Sequence, residues 1–410
     1  MRRGLVPILF GGKYRPALSA DLQGTGQLPP WITFSRSDAS TCASYFGSDG
    51  LLHLAAANVR RFDYDPVTLV PKGLLLEAAG TNIAQYSDFS SGIFAVSATL
   101  GSGTTAPTGG VAGVLVIPSV ASSGAKVAYI STLTITASVN YVSSIMVKAS
   151  GYNYFSLAVH DGGVTAGHES IQVFNLATGA VASSYNVAPV SAGIQNVGNG
   201  WWRVWIVTNF ATTSYNPSYG PLPADQNFRT IGWTGDGTSG VYIFGNDIKL
   251  GSFPTSYIPT VAATTRSADV LTGAAATYLM NAWVIETGDM QAAAAATLLG
   301  INTGIGLGAT TGNALTTADA GAQTTGNTAT WTGTNRGGIA FDATPRVSIN
   351  LNGGTGVTAA NSPAAVTALY FGNTNNGASG FLNGHLRKIA GYTALPDAIL
   401  QAKSVAGAAL

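Results

Sequence analysis

The chain has 410 residues and 46% of them are hydrophobic, which supplies enough apolar surface for two or three separate cores. Charged residues make up only 9%, against roughly a quarter in an ordinary soluble domain. The net charge is +1, and no basic stripe able to neutralise a row of phosphates is present, which argues against a nucleic-acid partner.

Residues 1–30 are punctuated by Pro and Gly and hold little periodic structure. They read as an extended N-terminal anchor. The start, from Met1 to Phe10, is apolar like a signal peptide, but the run is short and broken by Pro7, so no secretion signal is expected. Residues 31–84 read as a small β-rich attachment region.

From 85 to 262 apolar and polar residues alternate in short runs. Examples are Val127 to Ile135, Tyr141 to Val147 and Tyr154 to Val159. Such alternation predicts half-buried strands. Asn-Gly pairs at Asn199, Asn352, Asn376 and Asn383 punctuate the chain as hairpin turns. The last strand of this unit is expected over Val241 to Leu250, and Thr260 to Ser267 reads as a linker. Residues 268–410 form a further unit of strands, with Trp283 to Glu286 and Thr297 to Gly300 among them and the alanine run from Ala292 to Ala296 left open. It ends in a short helix near Leu395 to Lys403, with Pro396 in the first turn and Asp397 at the positive end of the dipole. The expected fold is all-β: an anchor followed by two tandem antiparallel β-sandwiches.

Cys42 is the only cysteine, so no intrachain disulfide can form. No run of about 20 apolar residues exists, so no helix is expected to span a membrane. Gly235-Asp-Gly-Thr-Ser-Gly240 satisfies the GxGxxG pattern, but a strand-like segment follows where a dinucleotide site needs a helix, so it reads as a turn.

Five segments carry a resemblance. They are Ile32 to Ser40; Asn58 to Pro66 leading to Gly73 to Glu77 and Asn82; Val197 to Arg203; Gly235 to Pro259; and Phe381 to Lys388 ahead of Leu395 to Gln401. Together, over residues 31–410, they resemble bacteriophage structural proteins in which a carbohydrate-binding-module-like jelly roll precedes a concanavalin A-like (laminin G-like) sandwich. The resemblance implies a jelly roll over 85–262 and a concanavalin A-like domain over 268–410. It also implies a non-enzymatic virion protein, assembled in the host bacterial cytoplasm, of tail-fibre or tail-associated type. The N-terminal segment would hold it to other virion proteins, and a homo-oligomer, with a trimer favoured, would help attach the particle to host surface polysaccharide. Two rival readings belong to other classes: a capsid decoration or tail adaptor protein with purely structural contacts, and a polysaccharide depolymerase.

Sugars stack an apolar ring face on Trp or Tyr, so the candidate glycan contacts are Tyr152, Tyr154, Tyr215, Tyr219 and Trp233. Tyr215 and Tyr219 lie in a Pro-rich stretch that reads as an exposed loop. In Trp201 to Trp205, alternation puts Trp201, Arg203 and Trp205 on one face and Trp202 and Val204 on the other. Asn373, Asn375 and Asn376 make a polar loop that could touch a sugar. Jelly-roll carbohydrate modules often carry a structural calcium, for which Glu77 and Asp247 are the weak candidates, with salt bridges or caps as the plainer reading. No other cofactor is expected. The histidines lack metal-ligand spacing, although His160-Asp161 and His168-Glu169 could meet across a hairpin. A depolymerase needs two facing carboxylates. Asp63 and Asp65, which read more simply as partners of Arg60, Arg61 or Lys72, and Glu286 with Asp289 are the nearest approach to such a pair.

Overall fold

The computed structural model describes residues 14–24, 26–120, 125–163, 167–290, 296–301, 305–309, 314–319, 322–328, 333–341, 347–354, 356–359, 366–373 and 380–410. Residues 1–13 of the anchor, the alanines at 292–295 and the polar positions Asn375 and Asn376 lie outside them. The fold is all-β, built from antiparallel sheets. One short α-helix, Asp397–Lys403, stands where the sequence predicts it, with Pro396 capping rather than opening it. Among the described residues, no helix is long and apolar enough to cross a membrane.

The sandwiches are not strung end to end. Ile32–Ser35 pairs with Val270–Gly273, in register Ile32↔Gly273 to Ser35↔Val270. Pro71–Leu76 pairs with Gly384–Tyr392, and Phe62–Tyr64 pairs with Pro71–Leu76. Leu18–Asp21, placed in the extended anchor by its sequence, also pairs with Gly384–Tyr392. The segment 18–77 therefore completes the two large sheets of the C-terminal unit, whose shared core holds Leu22, Ile32, Leu74, Trp283, Phe371 and Ile389. This split sandwich is interrupted by the other one, at about 83–262. The presumed linker is itself ordered: Thr264–Arg266 pairs with Gly80–Asn82, so the strands entering and leaving the insertion lie side by side.

The inserted sandwich has two sheets. One carries Trp201–Asn209, Asn140–Ser150 and Gly240–Leu250 as its centre, and the other carries Glu169–Asn175, Tyr154–His160 and Ser214–Leu222. Residues at every second position meet between them: Phe155, Leu157, Val159, Val204, Ile206, Ile145 and Ile243 are fully buried in one cluster. At roughly 25 cal/mol per Å² of apolar surface removed from water, this stripe is the main force holding the sheets together. Asn199 and Asn352 adopt the left-handed backbone that the Asn-Gly turns require, as do Gly200 and Gly353. Gly235 to Gly240 is a turn, with Asp236 accepting from the Thr238 and Ser239 amides.

Candidate functional site

The best-formed candidate lies on the outer face of the inserted sandwich's second sheet. A single cross-strand row runs Phe94, Tyr129, Ser218, Ala158 and Ile171, each directly opposite the next. The adjacent row brings Asn216, His160 and Glu169 together. Because side chains alternate along a strand, all of these project from the same face, opposite the core. They frame a groove of about 490 Å³ lined by Val96, Val127, Tyr129, Thr132, His160, Asn216, Ser218 and Arg229, among others. That volume falls in the roughly 300–1,000 Å³ range usual for ligand sites.

The groove has an aromatic end and a hydrogen-bonding end. Phe94, beside the groove, is 47% exposed, and its ring lies 5.5 Å from that of the half-buried Tyr129, tilted by 30° to it. At the other end the Asn216 amide donates to the His160 carbonyl at 3.4 Å and accepts from the Thr132 hydroxyl. Beneath, Glu169 is fully buried and receives Arg229 through Nε at 3.1 Å and Nη2 at 2.7 Å. Burial raises the Glu169 carboxyl against the pull of Arg229. Burial, helped by the Arg229 charge, lowers His160, so its ring is neutral at pH 7. Two buried atoms, Nδ1 of His160 and Oγ of Ser218, have no hydrogen-bond partner within the protein. An unpaired buried polar atom costs about 1–3 kcal/mol, which a ligand hydroxyl would recover.

The aromatic residues singled out in the sequence are distributed differently. Tyr215 and Tyr219 are fully buried, a correction to the loop reading. Both point into the core from Ser214–Leu222, where Tyr215 receives the Thr208 hydroxyl and Tyr219 donates to Asn246 Oδ1 at 2.9 Å. Burial pushes both phenols well above their ordinary range. Tyr152 and Trp233 do meet, edge to face with ring centres 5.2 Å apart, and Lys126 stands 5.7 Å over the indole. Tyr154 is half-buried on the groove's face but packs with the Phe228 cluster. Phe94, Tyr129 and Asn216 are not singled out in the sequence, and His160 is weighed there only as a metal ligand.

The calcium candidates sit at the junction of the two sandwiches, and each is bound by cations through one oxygen, Oε2 of Glu77 and Oδ2 of Asp247, while Asp247 Oδ1 has no partner. Glu77 accepts from Arg61 at 2.7 Å, from the Ser256 amide at 2.7 Å and hydroxyl at 2.6 Å, and from Arg266. Arg61 also binds Asp269, which in turn holds Arg36 at 3.1 Å and the Glu77 amide at 2.9 Å. Glu77, Arg61, Arg266, Asp269 and Arg36 are all buried. Burial alone would raise the Glu77 carboxyl; Arg266 and Arg61 outweigh it and hold it well below the usual carboxylate range. Asp247 bonds Lys249 at 2.7 Å and Arg203 at 3.3 Å. Here burial dominates, raising Asp247 and bringing Lys249 down to about 8. These are salt bridges, the plainer of the two sequence readings; each lies within one sandwich, and Ser256 of the insertion joins the Glu77 set through its amide and hydroxyl. Asp161 and His168 do meet across their hairpin, at 3.0 Å. Among the described residues, no group of three or more His, Cys, Asp or Glu side chains is placed to hold a metal ion.

No protein-family model matches the chain, and no curated protein matches it. Solved structures give faint likenesses among carbohydrate-active β-proteins. The CBM22-1–GH10 modules of Clostridium thermocellum endo-1,4-β-D-xylanase 10B, complexed with xylohexaose, align at 16% identity and a TM-score of 0.23, over 43% of this chain and 28% of that one. Trypanosoma rangeli sialidase in complex with sialic acid aligns at 8% identity and a TM-score of 0.26, over 72% and 61%. The chain thus spans less than two thirds of either structure, and scores of this size carry no argument about activity.

Proposed function

We propose that the chain is a non-enzymatic bacteriophage virion protein, of fibre or tail-associated type, whose inserted jelly roll holds host-surface glycans in the groove around Tyr129. The observation that carries this reading is the meeting, on one sheet face, of the Phe94–Tyr129 aromatic pair with neutral hydrogen-bonding groups, two of whose buried atoms lack partners. Stacking would position a sugar ring, and Asn216, Thr132, Ser218 and neutral His160 would take its hydroxyls. The virion assignment rests on the linked segments between Ile32 and Gln401 and on a composition poor in charge. In this reading the protein assembles with itself, as a trimer if it is a fibre, and the split sandwich is the concanavalin A-like partner that faces the particle.

The test is binding of the purified protein to an array of bacterial capsule and lipopolysaccharide glycans, alongside immunogold labelling of particles. The expected result is saturable binding to a subset of glycans, weakened about tenfold or more by Tyr129→Ala, since a truncated anchor residue costs upwards of ~1 kcal/mol. No binding by a folded, assembled protein would replace the adhesin with a capsid decoration or tail adaptor protein.

A further inference from the structure

A second cleft, also about 490 Å³, opens where the two sandwiches face each other. One wall is Trp205, on the outer face of the inserted sandwich's first sheet. Its register partner is Gly193, and a Cβ on that glycine would stand 2.0 Å from the indole, so the ring lies flat across bare backbone. The facing wall comes from the split sandwich and carries Tyr45, Tyr64, Lys72, Asp289 and His385. Nothing in the groove of the other sheet depends on these residues.

The charges here are already balanced. Lys72 pairs with Asp289 at 3.0 Å, and Asp63 accepts from the Phe46 amide at 2.7 Å and bonds His385 Nε2 at 2.8 Å. Arg203 is turned to Asp247 and to the Thr255 carbonyl at 2.7 Å, and Glu77 is saturated by Arg61 and Arg266. An anionic ligand would therefore find no uncompensated cation, and a purely apolar one would strand polar atoms. One of those is already stranded. His385 is 5% exposed, and its Nδ1 has no hydrogen-bond partner, the Asp289 carboxylate standing 3.8 Å away. With Nε2 engaged by Asp63, Nδ1 is the ring atom left to hydrogen-bond a ligand hydroxyl, which can donate or accept. Asp63 and Asp289 both line the cleft, but each is engaged by a cation or an imidazole, which suits them to orienting hydroxyls.

We propose that this cleft is a second carbohydrate subsite, taking a neutral sugar ring with its apolar face on Trp205 and its hydroxyls on the Lys72–Asp289 pair and His385 Nδ1. The assignment goes beyond the groove and stands on the cleft's own groups, so either site can fail alone.

The experiment uses the ¹⁵N-labelled full chain, whose seven tryptophans give separate indole signals. Trp205→Phe identifies the Trp205 signal. The protein is titrated with methyl α-D-mannoside, methyl β-D-glucoside, methyl β-D-galactoside and N-acetylglucosamine, and separately with inorganic phosphate. The expected result is a saturable shift of the Trp205 signal with at least one sugar, none with phosphate, and about tenfold weaker binding in Lys72→Met, the loss of one charged hydrogen bond. The same shift should persist in Tyr129→Ala, which disables the groove. A Trp205 signal unmoved by every sugar, moved by phosphate instead, or silenced by Tyr129→Ala would overturn the proposal.

Discussion

The Glu77 and Asp269 carboxylates at the junction between the sandwiches and two neutral polar atoms in the groove on the inserted sheet are all buried, and they differ in how fully their hydrogen bonds are met. At the junction every carboxylate of the Glu77–Asp269 network meets two or more donors. In the groove His160 Nδ1 and Ser218 Oγ meet none. Saturated polar groups fix one arrangement of the backbone, whereas unsatisfied ones are held open by the surrounding fold and await a partner from outside. The same sequence chemistry, a few polar residues among apolar strands, is spent on cohesion in one place and left with unmet hydrogen bonds in the other.

That contrast can be broken most forcefully at Glu77. Glu77→Gln leaves Arg61 and Arg266 buried with too little negative charge, and a loss of about 3–5 kcal/mol is expected by urea denaturation. A wild-type-like midpoint would show that the network adds little. Next in size, Tyr219→Phe strips Asn246 Oδ1 of its donor within the core and should cost about 1–3 kcal/mol without any loss of glycan binding specific to the groove. A selective binding defect at full stability would return Tyr219 to the site.

The acid limb of the stability curve sharpens the same point. Glu77 has its carboxyl lowered in the folded state, so the folded chain binds fewer protons than the unfolded one. Its contribution is complete above the unfolded value, about pH 4.3, and declines as pH falls below that by up to about 1.4 kcal/mol per unit. Thermal midpoints measured from pH 6 downward, to about pH 3, should fall in that window. In Glu77→Gln the slope should be shallower by about one proton. The smallest effect on stability is expected at the groove. Phe94→Ala, at an exposed position, should shift stability by no more than about 0.5 kcal/mol while weakening glycan binding severalfold.

The strand pattern was legible because alternation is local: Val127–Ile130, Asn140–Ser150 and Tyr154–His160 all appear where polar and apolar residues take turns. The Tyr215 to Tyr219 stretch was not, because Pro217 argues against a strand between two neighbours. The fold evades the rule by breaking the adjoining strand: Val127–Ile130 and Leu133–Thr134 flank the gap that Pro217 faces, so no donor is missed there. The insertion was invisible for a different reason. Sequential strands usually neighbour one another, which favours a tandem reading, and the pairing of Ser35 with Val270 leaves no trace in either segment. Likewise nothing local announces that Arg61 and Arg266 would surround Glu77, so salt bridges were the plainer reading of Glu77 and Asp247 but their partners could not be named. The groove was not legible: Tyr129 shares the apolar parity of Val127, Leu133 and Ile135, and its meeting with Phe94, Ser218, Asn216 and His160 depends on the order of the strands.

The side-by-side crossing of Gly80–Asn82 and Thr264–Arg266 has a mechanical consequence. A pull exerted through the inserted sandwich reaches the rest of the molecule along two covalent strands at once, and each carries about half the load. The two are laced together by the Thr81–Thr265 hydroxyl contact at 2.7 Å and anchored at the same point by Arg266 and Glu77. A bead-on-a-string arrangement would concentrate the whole force on one linker. This one spreads a pull on the inserted sandwich over a doubled attachment before any sheet has to part.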